Sequence, residues 1–200
     1  MPPSDSVPVR ERARRAIRAE VTVLAQGLFA ANGYDRTTVD DIAAAAGMHR
    51  RTFFRYFTSK EDLVLAKYEV LGDRLTEAFT ARPPEEPLWQ ALRRSFDLVA
   101  GYYDDETKRS GALAMERTIR DNPALTAGEL ERISRIQRQL TEAVRLRSGR
   151  ADPLDPEPEA VVGAALSCLI AAKAAWAQPN QRRRFADLLD SAMAALEPRS

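Results

Sequence analysis

From Arg10 to Leu196 apolar residues return at three- and four-residue intervals, and no segment sustains the two-residue alternation of a strand. That periodicity confines the chain to helices packed on helices. Gly, Pro and Asn place the breaks: Asn32-Gly33, Gly47, Pro83-Pro84, Asn122-Pro123, Ser148-Gly149 and Pro179. Between them the spacing predicts about nine helices in an all-α fold. The first carries Ile17, Val21, Leu24 and Leu28 on one stripe, widened by Ala25 and Phe29. A second, N-capped by Thr38, buries Val39, Ile42, Ala43 and Ala46. A third buries Phe53 and Phe57. A fourth, capped by Ser59 with Asp62 at the capping-box spacing, runs from Lys60 to about Arg82. Pro87 opens a fifth, a weaker helix covers 107–121, and a long one carries Leu130 to Leu146. The last two cover roughly Glu159–Ala177 and Gln181–Leu196.

Composition narrows the chemistry. One cysteine, Cys168, rules out an intramolecular disulfide framework, and one histidine, His49, rules out paired-histidine metal helices. No nucleophile motif or Gly-rich phosphate loop appears, so no enzyme, metal or cofactor is expected. The uncharged run Ala160–Ala172 is too short for a bilayer span. The arginine-bearing N-terminus lacks an apolar core for secretion, so a cytoplasmic protein without a membrane partner is expected. Cys168 reads as a buried small hydrophobe. The 200 residues carry 30 Lys+Arg against 29 Asp+Glu, yet residues 1–67 hold 11 cations against 8 acids. Arg10–Arg18 has five arginines and one acid, and His49–Lys60 has four cations and none. Such blocks are either solvated helix faces or a footprint for phosphate.

Thr37–Leu63 decides between them. A short helix, a turn at Gly47 and a second short helix are the parts of a helix-turn-helix. Small residues Ala43–Ala46 let the two helices cross closely. Met48 and Phe53 take the inner face of the second helix, leaving His49, Arg50, Thr52 and Phe54 for a groove. Arg50 is expected to read a base edge and Arg51 to hold phosphate.

Thr38, Ile42-Ala43, Ala46-Gly47, Met48, Thr52-Phe53-Phe54, Tyr56-Phe57 and Lys60 stand at the spacing of the DNA-binding domain of TetR-family regulators, and the stretch resembles it over roughly residues 12–67. Two positions depart: Phe54 stands where the family usually has tyrosine, and His49 where it often has serine. The resemblance implies Tyr56 and Lys60 as phosphate contacts; Thr38 is counted with the DNA-binding residues, and Arg55 is either a further phosphate contact or simply solvated. It also implies a dimer on a double-stranded, palindromic DNA operator and a small-molecule effector, hydrophobic or amphipathic, that releases it. The division expected is a tail at 1–9, a three-helix DNA-binding domain at 10–67, and a helical ligand-binding and dimerisation domain at 68–200. Trp89, Phe96, Tyr102, Tyr103, Met115 and Trp176 are candidates for the pocket. Gly163, Ala164, Ser167 and Ala171, with Phe185, Leu188, Leu189 and Ala192, are candidates for a four-helix homodimer interface. A repressor is expected. The alternatives are an activator, or a helical architectural or adaptor protein that binds DNA without a ligand.

Overall fold

The computed structural model describes residues 9–150, 152 and 154–197; the expected tail at 1–9 lies outside them except for Val9. Among the described residues there are eleven helical segments and no strand. They are α1 (Val9–Asn32), α2 (Val39–Ala45), α3 (Arg50–Phe53), α4 (Lys60–Leu65), α5 (Lys67–Thr80), α6 (Leu88–Ser95), α7 (Asp97–Tyr103), α8 (Arg109–Asp121), α9 (Pro123–Ser148), α10 (Glu157–Trp176) and α11 (Phe185–Ala195). Two expected helices are each broken once. Ala66 separates α4 from α5, with its N–H on Leu63 O at 3.2 Å rather than one residue further back. Phe96 separates α6 from α7, where the buried Ser95 hydroxyl donates to Leu92 O at 2.6 Å and competes for that carbonyl. Counting each pair as one rod gives the expected nine.

Local chemistry sets most ends. Gly33 adopts a left-handed φ of 84° and closes α1 with its N–H on Phe29 O at 2.9 Å. Asn122 accepts from Ala124 N and Leu125 N at 3.0 and 3.2 Å, and Pro123 occupies the first turn. So the break at Asn122-Pro123 also begins α9, earlier than the apolar pattern from Leu130 indicated. Gly149, at φ 64°, ends it.

α9 lies between α5 and α10, α11 rests on α10 and α7, and α1 crosses α2, α4 and α8. Of the expected stripe of α1, Val21, Ala25 and Phe29 are buried, with Thr22 beside them, while Ile17, Leu24 and Leu28 are only partly covered. At 20 residues α10 is long and apolar enough to span a bilayer by length and composition, which the uncharged run 160–172 understated. Here its buried side packs on α9 and α11.

Candidate nucleic-acid interface and ligand pocket

Thr38 and Asp41 form a reciprocal capping box at the start of α2. Asp41 N donates to Thr38 Oγ1 at 3.1 Å, and Thr38 N donates to an Asp41 carboxylate oxygen at 2.8 Å. The Thr38 hydroxyl bond, then its backbone N–H, holds the Asp41 carboxyl below the ordinary aspartate value. Helix α2 ends in a Schellman motif. Gly47 N–H reaches Ala44 O at 3.0 Å and Met48 N–H reaches Ala43 O at 2.9 Å, with Gly47 at φ 63°. A Cβ on Gly47 would meet nothing within 4 Å, so its requirement is purely conformational. Gly47→Ala is therefore expected to cost about 1–2 kcal/mol, read as a lowered urea midpoint at constant m.

That turn sends α3 across α2 with Phe53 and Phe57 fully buried, their rings 5.2 Å apart. The expected third helix is shorter, Arg50–Phe53, and continues to Phe57 as tight turns. Its outer surface presents His49, Arg50, Arg51, Phe54 and Arg55, all exposed, with Thr52 and Tyr56 partly covered. No acid occurs between Ile42 and Lys60. Arg51 and Arg55 meet no acidic partner among the described residues. Arg50 pairs with Asp40 at 2.8 Å and lies over the Phe54 ring. Both partners are more than half exposed, so this pair is weak and exchangeable.

Two cations of the motif region face inward. The Lys60 ammonium donates to Tyr34 O at 3.0 Å and Thr37 O at 3.2 Å and sits 3.9 Å from the Tyr34 ring centroid. Two of its three donors hold the α1–α2 turn, so an expected phosphate contact is left with one donor at most. Arg18, counted from sequence in the basic block, is mostly buried. It donates to Tyr56 O, lies 4.6 Å over the Phe57 ring, and pairs with Glu69 at 2.9 Å and Asp62 at 3.8 Å. Asp62 also accepts from Thr58 N at 3.0 Å and takes Arg132 of α9 at 2.6 Å. Asp62 thus caps α4 and ties α1 to α9. Its carboxylate reaches Thr58 N rather than Ser59 N, so the box expected at Ser59 is only half formed: Asp62 N donates to Ser59 Oγ at 3.1 Å.

An apolar pocket of about 260 Å³ opens between α5, α7, α9 and α10. Leu71, Leu98, Leu166 and Leu169 form its walls, and Val70, Tyr102 and Ile170, each exposed, form its mouth. Of the six expected pocket residues, Tyr102 and Tyr103 line it. Phe96 and Trp176 are fully buried core, with Trp176 edge-on to Tyr103 at 4.8 Å. Met115 borders a groove between α1 and α8, and Trp89 borders a polar groove beside Arg93 and Asp190. Which aromatic rings face a void depends on how helices cross, and apolar spacing reports only that they face inward.

Sequence reasoning passed over the charges beneath this pocket. Lys173 pairs with Glu116 at 3.1 Å and with Glu129, the Tyr103 hydroxyl donates to Glu116 at 2.8 Å, and the Tyr68 hydroxyl donates to Glu129. Burial alone would raise the Glu116 carboxyl, but Lys67, Lys173 and Tyr103 together hold it below its ordinary value. A signal existed: Glu116 falls on the same stripe as Ala112 and Ile119, and Lys173 interrupts the most apolar helix.

The interface candidates divide. Phe185 and Leu189 are fully buried within the chain and Leu188 nearly so, with the Phe185 ring stacked on Tyr103 at 4.7 Å. Phe185 and Leu189 have no surface left for a partner and Leu188 has little, which corrects their expected assignment to the interface. Ser167 and Ala171 are exposed, and Gly163, Ala164 and Ala192 partly so.

A helix-turn-helix joined to a helical body with an apolar pocket defines a class of DNA-binding regulators. The chain matches the family model for bacterial regulatory proteins of the tetR family over residues 22–66, and that of the MftR C-terminal domain over residues 86–200. It belongs to the tetR family, a family of transcriptional regulators and not of enzymes. It is 35% identical over 145 residues to the HTH-type transcriptional regulator TcmR of Streptomyces glaucescens, covering 70% of this chain and 64% of that protein. It is 26% identical over 182 residues to the HTH-type transcriptional repressor Rv1474c of Mycobacterium tuberculosis, covering 89% and 93%. Its fold matches Thermus thermophilus FadR, a TetR-family repressor solved with lauroyl-CoA, at a TM-score of 0.63 and 24% identity over 90% of this chain and 92% of that one.

Proposed function

We propose that this regulator is a homodimeric repressor that holds a palindromic operator until a small apolar or amphipathic effector enters the α5–α7–α9–α10 pocket. The observation that carries this reading is the acid-free, exposed surface of α3 in the same chain as an open apolar pocket. His49, Arg50, Arg51 and Thr52 stand at the N-terminal end of α3, where a recognition helix meets base edges. Arg51 and Arg55 serve as phosphate contacts, with Tyr56 beside them and Lys60 mainly positioning the turn. Repression is favoured by Rv1474c, a relative described as a repressor. A protein that acts on the chromosome works in the cytoplasm.

The division at residue 67 separates the two roles. Helix α4 joins them, and its Asp62 answers both Arg18 under α3 and Arg132 on α9. A ligand that moves α5 against α9 is felt at that carboxylate, which rotates α1 and α3 and changes the spacing of the paired recognition helices from the roughly 34–36 Å that successive major grooves require. A coupling of about 1–3 kcal/mol suffices for a release of severalfold or more.

The test is selection of bound duplexes from a random library, followed by titration at several salt concentrations. A palindromic consensus is expected; a non-palindromic consensus, or none, refutes the operator reading. Arg50→Ala should relax preference at one base position, costing about 1–3 kcal/mol there. Arg51→Ala should weaken all duplexes alike and flatten the salt slope by about one unit, whereas Lys60→Met should lower the unfolding midpoint with the slope nearly kept. A full unit of slope lost on Lys60→Met would restore its phosphate role.

A further inference from the structure

The pocket between α5, α7, α9 and α10 is lined by three cationic side chains, Lys67, Arg74 and Lys173, and by no carboxylate. Lys173 is answered by Glu116 and Glu129, which stand behind it in the core. Lys67 has no carboxylate within ion-pair distance and no hydrogen-bond acceptor among the described residues; its ammonium lies 5.2 Å from the Tyr68 ring centroid, which supplies no opposing charge, and the residue sits between the buried Ala66 and Tyr68. Arg74 stands exposed at the rim, likewise without an acidic partner. The cluster of Lys67, Arg74 and Lys173 against Glu116 and Glu129 therefore carries one uncompensated positive charge, and it faces the void. A partly buried ammonium without a partner is costly and is ordinarily paired.

Resting on the ligand-responsive reading of this pocket, we propose that its occupant is a small organic monoanion, an amphiphilic monocarboxylate whose head is received by Lys67 and whose apolar body lies against Leu71, Leu98, Leu166 and Leu169. The volume supports a compact ligand. About 260 Å³ falls just below the roughly 300–1,000 Å³ common for small-molecule sites, too small for an acyl chain with a nucleotide carrier attached. Burial pushes the Lys67 ammonium below the ordinary lysine value, with Glu116 and Glu129 only partly offsetting it. A carboxylate beside it supplies the missing partner and favours the charged form. Tyr68 and Tyr103, whose hydroxyls are already committed to Glu129 and Glu116, contribute ring surface rather than a competing polar head.

The test compares octanoate, octanol and octylamine, which share an apolar body and differ in the head. Binding to the full chain is followed by calorimetry, and operator release is scored separately. A charge-assisted hydrogen bond in a desolvated site should make octanoate bind roughly ten- to a hundredfold tighter than octanol, with octylamine weakest. In Lys67→Met the octanoate-to-octanol ratio should fall to near one, and Lys67→Arg should restore most of it. The Met variant takes from Glu116 one of the cations that hold it ionised, so its melting curve and helical circular dichroism are recorded beside each titration; a variant folded at the assay temperature that has lost the ratio has not lost it through unfolding. Leu169→Trp, which fills the void, should abolish octanoate binding and place the site. Equal affinity for octanoate and octanol, a preference for octylamine, a preference that survives Lys67→Met, or no binding of any of the three overturns the proposal. Octanoate that binds through Lys67 without releasing operator upholds the head-group assignment and refutes ligand gating.

Discussion

Replacing Glu116 with leucine should cost about 3–5 kcal/mol of folding free energy, because it strips a buried pair of one partner and leaves the other charged. Lys173 would keep only Glu129, Lys67 would lose the nearest opposing charge, and the Tyr103 hydroxyl would lose its acceptor. Urea unfolding followed by circular dichroism measures the loss. A change under about 1 kcal/mol would mean that water already screens the cluster. Glu116→Gln, which keeps an acceptor for Tyr103, should lie between the two. The pH dependence has a defined sign. The folded Glu116 carboxyl is held below its ordinary value of 4.5, so its contribution is complete above that value and disappears as pH falls through the lower folded value. The leucine variant should therefore lose less stability than the parent on acidification below about pH 4.5. Lys173 acts at the other end. Burial lowers it, but Glu116 and Glu129 more than reverse this and raise it above 10.5, so its contribution is complete below pH 10.5 and fades above.

The second large effect is expected on α10. Ser167→Arg combined with Ala171→Arg puts two cations on the outward face of a helix that is apolar along most of its length yet only about one-third buried within the protomer. Monomers by light scattering, with helical circular dichroism unchanged, are the expected outcome. Operator affinity should fall by about two to four orders of magnitude, since each half-site would then be bound without the benefit of linkage. A double variant that stays dimeric moves the interface elsewhere. Leu189→Arg is the contrasting control: its side chain has no exposed surface in the protomer, so it should unfold the chain instead of separating subunits.

Features decided within a few residues were legible before the structure. The Thr38–Asp41 cap, the left-handed Gly47 and the helix ends at Gly33 and Gly149 each depend on backbone geometry that one residue type permits. The breaks at Ala66 and Phe96 were not, because neither residue opposes a helix. Leu188 and Leu189 show the limit of apolar patterning: it reports that a side chain leaves water, and is silent on whether its cover is the same chain or another. The inward bonds of Lys60 and Arg18 were hidden for a related reason. Their acceptors are main-chain carbonyls and distant carboxylates, and no spacing in the sequence brings Tyr34 O or Glu69 to them. The pocket needed four helices to be placed at once, so of its candidate rings only Tyr102 and Tyr103 line it.

The contact between Arg50 and Asp40 bears on how such a protein finds its site. An arginine already matched at 2.8 Å by its own aspartate gains little from a random stretch of phosphate, since leaving one partner for another is nearly an even exchange. Only where a guanine edge offers two aligned acceptors does the swap become favourable. On the proposed reading of Arg50 as the base reader, random duplex offers this exchangeable pair little gain on opening, so the protein has one fewer ionic grip there, a shorter stop and faster sliding. Asp40 is thus a brake on loitering: Asp40→Asn should hold random duplex more tightly, and its search for the operator should slow.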